Sequence, residues 1–425
     1  MKIAIIGTGI AGNVVARRLY KEHDITVFEA NDYIGGHTHT HQVELEGKSL
    51  SVDSGFIVFN RRTYPNFVRL LTELGVAEQK SAMSFSVRCD RTGLEYNGTT
   101  INSLFAQRSN LFNPRFHRLI RDILRFNKHA RRLLLLQKDS LTLGDYLQLQ
   151  DYSQEFIDQY LLPMGAAIWS SDPKLMYDFP AAYFVRFFDN HGMLSVNDRP
   201  DWYVIKGGSN KYVRALVAPF RNKIRLRSPV QEIWRRPDKV MIKSKGAGTE
   251  YFDNVFIATH SDQALRLLCD STLQEREVLG AIQYQKNDAV LHTDHSLLPN
   301  KRLAWAAWNY HVPDKTTRGV TVTYNMNILQ SLRLQQQVCV TLNGNQHIDP
   351  DKVIARMQYD HPIYTPDAVK AQKRQSEING VKRTYYCGAY WRFGFHEDGV
   401  VSALNALDDF EEKTRHEELY LPRAS

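Results

Sequence analysis

Gly7, Gly9 and Gly12 stand directly behind the apolar run Ile3-Ala4-Ile5-Ile6, a spacing suited to holding a pyrophosphate. The chemistry would be done by the main chain. The first glycine permits a tight turn, the second lets backbone approach the phosphates, and the third lets the following helix pack closely on the strand. The N–H groups at that helix's start, around Ile10 and Ala11, would then face the anion. Glu29 ends the run Ile25-Thr26-Val27-Phe28 and is followed by Ala30. It lies about 20 residues beyond the first glycine, where a ribose hydroxyl needs an acceptor, and it argues against a 2'-phosphorylated ligand. A purely structural glycine loop is the alternative; strand, turn, helix, strand and acid in this order favour a dinucleotide.

A second glycine pair, Gly35-Gly36, is followed by His37 and would let backbone lie against a bulky planar ligand. His37, His39 and His41 alternate and on a strand would share one face. No Asp, Glu or Cys stands nearby at convincing ligand spacing, so no metal is expected.

The elements that must position these residues are legible in outline. Ile3 to Ile6 and Ile25 to Glu29 read as parallel strands around a helix from Ala11 to Lys21. Ile224 to Val230 and Val255 to Thr259 read as strands returning to the same sheet, after glycine turns at Val52-Asp53-Ser54-Gly55 and Lys206-Gly207-Gly208-Ser209. Asp262 to Leu279 and Asp351 to Ser376 read as mixed helix and loop. The expected fold class is α/β: a discontinuous Rossmann-like dinucleotide domain (1–60, 206–265, 381–425) with an inserted α+β substrate domain (61–205, 266–380).

At 425 residues, 43% hydrophobic and 24% charged, the chain is long enough for more than one core and leaves little room for disorder. Lys and Arg exceed Asp and Glu by 54 to 46, which raises the odds of an anionic partner. Much of the excess lies in Arg115 to Arg132, where seven basic residues interleave with Phe116, Leu119, Ile120, Ile123 and Leu124 at helical spacing. This basic amphipathic helix would suit contact with an anionic membrane surface, or would be a solvated face packed on the substrate domain. Without a recognition motif, no nucleic-acid partner is expected. The four cysteines form no CxxC pair, and the N-terminal apolar run is too short for a signal peptide. The expected location is cytoplasmic, with peripheral contact at the inner face of a membrane as its extension.

Together, Gly7-Thr8-Gly9-Ile10-Ala11-Gly12 with Glu29, Gly35-Gly36, Gly207-Gly208, Val230, and Cys387-Gly388-Ala389-Tyr390-Trp391 to Glu397-Asp398-Gly399-Val400 resemble the flavin-containing amine oxidase superfamily. That superfamily also includes phytoene desaturases and protoporphyrinogen oxidases; the likeness is nearest its bacterial branch of FAD-binding oxidoreductases. The resemblance covers nearly the whole length and is specific at the ends. It implies FAD as cofactor, with Val230 contacting adenine through its backbone, Gly35, Gly36 and His37 lining the cofactor, and Asp398-Gly399-Val400 opening a helix toward the flavin. His37 stands where an Arg is common, and Ala389-Tyr390 follow Gly388 where an acid is common.

The resemblance also implies catalytic candidates: Trp391 and Phe395 flanking substrate, with core packing as the alternative, and Lys286 near the flavin, with a solvated surface lysine as the alternative. The implied activity is removal of a hydride from a C–H bond of a hydrophobic substrate such as a fatty acyl or other lipid chain. An amine oxidase acting on a small amine is the alternative within that class. A non-catalytic lipid carrier on the same fold and a nicotinamide dehydrogenase are the alternatives outside it.

Overall fold

The computed structural model describes residues 1–135, 141–195, 197–314 and 321–420, with side chains through 415. Four separate stretches of chain build a five-stranded parallel sheet, in the order Ile224–Arg225, Asp24–Phe28, Lys2–Ile6, Asn254–Ile257, Thr384–Tyr386. Its central strands are apolar on both sides because both faces are covered. Ile3, Ile5 and Phe256 pack under the helices Ile10–Leu19, Asn210–Val217 and His396–Tyr420. Ala4, Ile6, Val255 and Ile257 pack instead on Ile233, Val240, Ile242 and Phe252 of a three-stranded antiparallel sheet. The ends of Lys2–Ile6 and Asp24–Phe28 carry Gly7 and Glu29, so the dinucleotide residues gather at the carboxyl edge of this sheet, the usual ligand edge of α/β folds.

A second sheet of seven strands runs Val353–Ile363, Gln283–His292, Cys339–Leu342, Thr321–Asn325, Trp308–Val312, Phe85–Cys89, Leu94–Asn97. It is antiparallel except where Trp308–Val312 pairs in parallel with Phe85–Cys89. Helices from residues 101 to 190 share its core through Phe116, Phe126, Phe156, Trp169, Phe184 and Phe188. The architecture is an α/β cofactor fold with an α+β partner.

Several sequence expectations shift. The first helix is Ile10–Leu19, so it begins on the glycine motif and stops short of Lys21. Ile224 to Val230 is not one strand. It breaks after Arg225, and Arg227 turns the chain with φ 51° before Val230–Arg235 begins. Asp262 to Leu279 resolves into helices Ser261–Leu267 and Leu273–Gly280. Within Asp351 to Ser376, Val353–Ile363 is an eleven-residue edge strand, and helix Pro366–Gln372 follows it. The strand starts only at Thr40, so it takes in His41 but not His37, which does not share a face with His39 and His41. Those two rings lie 4.2 Å apart, while His37 faces elsewhere.

Candidate active site

The glycine turn is built by close approach. Gly7 has φ 102°, and its N–H donates to the Phe28 carbonyl at 2.8 Å, joining the ends of the first two strands. A Cβ on Gly12 would lie 2.1 Å from the Gly7 carbonyl oxygen, so only glycine lets this helix meet its strand. Gly9 is different: a Cβ there would meet nothing within 4 Å. Gly9 is also the N-cap of helix Ile10–Leu19, and no side chain caps that end. Helix N–H groups without a side-chain cap, beside open space, are suited to receive an anion.

Glu29 is buried and ties three pieces together. Its carboxylate accepts from the Thr8 N–H at 3.0 Å, from the Thr8 hydroxyl, and from the Asn31 N–H at 2.9 Å. The Gly35 N–H donates to the Thr8 hydroxyl oxygen at 3.3 Å, bringing the second glycine pair onto the first turn. Gly36, at φ 59°, packs so closely that its Cβ would sit 3.2 Å from the Gly9 Cα. Arg227 and Ser228 donate backbone N–H bonds to the Asn31 and Glu29 carbonyls at 2.9 and 2.8 Å, which ties the chain leading into Val230 to the end of the second strand. Ala30 is exposed just beyond it.

The C-terminal motif packs beside the glycine-turn helix on the same face of the sheet. A Cβ on Gly399 would lie 2.7 Å from Ile10 Cγ2, so the first turns of helices His396–Tyr420 and Ile10–Leu19 pack side by side, with Ala11 and Val400 buried between them. Asp398 accepts from the Phe395 N–H at 3.0 Å as a cap, with Arg392 at 3.6 Å, and burial pushes its carboxyl up to about 7. Glu397 accepts from the Asn66 and Phe67 N–H groups at 3.1 and 2.9 Å, capping helix Pro65–Glu73. His396 stacks on Phe56 at 3.5 Å and places Nε2 within 3.0 Å of the Thr38 hydroxyl and 2.9 Å of Tyr212. Asp53, raised to about 6 by burial, accepts from the Ser209 N–H at 2.9 Å and the Thr40 hydroxyl at 2.5 Å. These bonds explain the two outlying glycine turns: both position the loop that carries Gly35, Gly36 and His37.

His37 enters a cluster of rings, 5.1 Å from Tyr359 and 5.7 Å from both His260 and His361. Burial lowers His37 and His361 to about 3 and His260 to about 4, so all three are neutral at ordinary pH. The buried His37 Nε2 has no hydrogen-bond partner among the described residues. Among those residues no group of His, Cys, Asp and Glu is arranged to hold a metal ion.

The catalytic candidates are not brought to one point. Trp391 is buried against Tyr390, ring centroids 5.0 Å apart, and its Nε1 lacks a described partner. Phe395 stacks on Phe187 at 5.1 Å, in a separate aromatic cluster where Phe393 lies 4.5 Å from Tyr183 and Phe187 lies 4.8 Å from Trp169. Lys286 is exposed on strand Gln283–His292, opposite Asp360. Its neighbour Asn287 points the other way, donating to His361 at 2.9 Å. Thr8, Thr38, Asp53, His260, His361 and His396 were not found from the sequence as site residues. Thr8, Thr38, Asp53 and His396 had a signal available, since each sits inside or beside a glycine motif; His260 and His361 had none.

A family model for flavin containing amine oxidoreductases matches residues 10–300. An L-amino-acid oxidase of Siganus canaliculatus is 24% identical over 325 residues, covering 68% of this chain and 56% of that protein, so the match spans little more than half the relative's length. Among solved structures, cyclohexylamine oxidase from Brevibacterium oxydans IH-35A superposes with TM-score 0.69 at 16% identity, over 97% of this chain and 99% of that one. A fatty acid isomerase from P. acnes that produces CLA gives TM-score 0.66 at 16% identity, over 96% and 98%. At such identities the likeness is one of fold. With the family model matching well over half of the residues, the chain belongs to the flavin-containing amine oxidoreductase family.

Proposed function

We propose that this protein is a FAD-dependent oxidoreductase that removes a hydride from a C–H bond of a hydrophobic substrate. One observation carries the reading: an uncapped helix start beside the open Gly9 turn, with Gly35-Gly36 against it and the C-terminal helix meeting it at Gly399. The residues present fit the cofactor. Open space at Gly9 leaves room for phosphate, and the buried unpartnered His37 Nε2 is a polar group awaiting a ligand.

In this reading the N–H groups of Ile10, Ala11 and Gly12 hold the pyrophosphate, and Glu29 accepts from ribose while Thr8 orients it. The Val230 backbone and Ala30 border the adenine. Gly35, Gly36 and His37 line the middle of the cofactor, and Asp398, Gly399 and Val400 present a helix start toward its ring. When bound, FAD supplies a two-electron acceptor. The chain's part is to bind, orient and keep water out. Phe395 with Phe187, Phe393 and Tyr183 offers the apolar wall that would hold a substrate carbon in place, while Trp391 packs apart from it on Tyr390. Lys286 is retained as a candidate by family position alone.

For substrate class we favour a fatty acyl or other lipid chain, because the aromatic cluster around Phe395 is apolar. A small amine is the second reading, favoured by the relatives that oxidise cyclohexylamine and L-amino acids. Anaerobic mixing with free fatty acids and with primary amines, followed in the visible, separates the two. Bleaching by one class identifies it, and bound FAD that neither class reduces would contradict both substrate readings.

A further inference from the structure

We infer that the basic helix and the loop before it form a docking surface for an anionic lipid bilayer, independent of the redox reading and testable whether or not that reading holds. Helix Pro114–His129 buries Phe116, Leu119, Asp122 and Phe126 on one side. At about 100° per residue, His117, Arg118, Arg121, Leu124, Arg125 and Lys128 fall on the opposite side within an arc of about 120°. Between Leu111 and Leu135 the chain has seven Lys and Arg and a single acid, Asp122, which is buried and accepts from the Ser153 N–H at 3.0 Å. The cations are therefore unbalanced locally. Arg115, Arg125 and Arg131 find Glu155, Asp122 and Asp189. Arg118, Arg121, Lys128 and Arg132 have no described ion pair or hydrogen bond.

Large apolar side chains stand exposed beside these cations: Phe112 at 88%, Ile101 at 80% and Leu124 at 53%. Phe112 is not a stray loop residue. The carbonyl of its neighbour Leu111 lies 2.8 Å from His117 Nε2, tying the loop to the outward side of the helix. The Ile101 segment is held there by Phe105, whose ring packs 5.6 Å from Phe116 and 6.1 Å from His117. Leu124 sits about one helical turn from both Arg121 and Lys128.

Apolar side chains this exposed cost free energy in water, and a protein partner for them would need an acidic face. A bilayer with anionic headgroups satisfies both features at once: the apolar residues enter the acyl boundary and the cations remain among the headgroups. Arg and Lys stems can lie along the apolar part while their charges stay at headgroup level. Among the described residues no helix is long and apolar enough to cross a membrane, so the contact is peripheral.

The test is co-sedimentation of the full chain with phosphatidylcholine vesicles lacking or containing phosphatidylserine. Binding is expected only with phosphatidylserine and should weaken as salt is raised. Arg118→Gln/Arg121→Gln/Lys128→Gln should weaken it by on the order of a hundredfold. Phe112→Ser should weaken it by about tenfold, while both variants keep the wild-type melting temperature. Several results would overturn the proposal: no binding to either vesicle, equal binding to both, an unaffected triple variant, or self-association through Phe112 without vesicle binding.

Discussion

Gly9 and Gly12 sit three residues apart in one motif, yet the structure assigns them opposite sensitivities to a single added methyl. At Gly9 the backbone is extended, φ −64° and ψ 176°, and no atom lies within 4 Å of a Cβ. Gly9→Ala should therefore leave the apoprotein as stable as wild type or raise it by about 0.4–1 kcal/mol through the unfolded state, moving the melting temperature by no more than about 2 °C. The methyl would instead occupy the space proposed for phosphate. Losing one or two charge-assisted hydrogen bonds from the helix start, at about 1.5–3 kcal/mol each, weakens FAD by roughly tenfold or more. At Gly12 the Cβ would lie 2.1 Å from the Gly7 carbonyl oxygen and 3.1 Å from Ala258 Cβ. Gly12→Ala must push the helix off its strand and should cost the apoprotein about 1–3 kcal/mol even before cofactor is added. Thermal unfolding of the two apoproteins, followed by fluorescence titration with FAD, reads both effects. If Gly9→Ala binds FAD like wild type, or destabilises the apoprotein as Gly12→Ala does, the assignment of the phosphates to this turn is wrong.

Four further outcomes follow from the same geometry. Glu29→Gln should weaken FAD by about tenfold, since its amide NH2 must face the N–H of Thr8 or Asn31, so that one of these bonds is lost along with the charged acceptor; unchanged affinity in the same titration would remove Glu29 from the cofactor site. Glu397→Ala should lower apoprotein stability by about 1–2 kcal/mol in urea unfolding, because it uncaps helix Pro65–Glu73. His37, His260 and His361 have folded values of about 3, 4 and 3, below the ordinary 6.5, so the folded state binds fewer protons and stability falls as pH drops from about 6.5 toward 4. Asp53 and Asp398 are raised to about 6 and 7 and act in the opposite sense, losing stability as pH rises from about 4 to 7. With the histidines in the majority, the urea midpoint of the apoprotein should be lower at about pH 5 than at about pH 7, and His361→Asn should narrow the gap; a higher midpoint at the lower pH contradicts this balance. Lys286→Met should slow flavin reduction or reoxidation in stopped-flow half-reactions, and unchanged rates would exclude Lys286 from the chemistry.

Local backbone chemistry is what the sequence conveys best. Gly7, Gly12 and Glu29 were legible because a tight turn, a close helix contact and a buried acceptor each require one residue type at one spacing. Gly399 was recognisable through its family motif, and the structure supplies a packing reason in its contact with Ile10. The seven-stranded sheet was much less visible. Its edge strand Val353–Ile363 alternates partly buried and exposed positions but carries Arg356, Asp360 and Pro362, which read as helix or loop until the pairing with Gln283–His292 is known. The histidine cluster was hidden for a different reason. His37, His260 and His361 are more than 100 residues apart from one another, and no local pattern announces a contact made by folding alone. The histidines at 37, 39 and 41 misled in the opposite way: their alternation implied a shared face, but the turn at His37 precedes the strand.

The central claim is that a flavin dinucleotide lies from Glu29 across Gly9 to the start of the C-terminal helix. The most direct test is the visible absorption spectrum of the purified protein, with the cofactor released by denaturation and identified by chromatography. The account predicts the two visible bands of oxidised flavin and release of FAD. Colourless protein that takes up no FAD on reconstitution would contradict it.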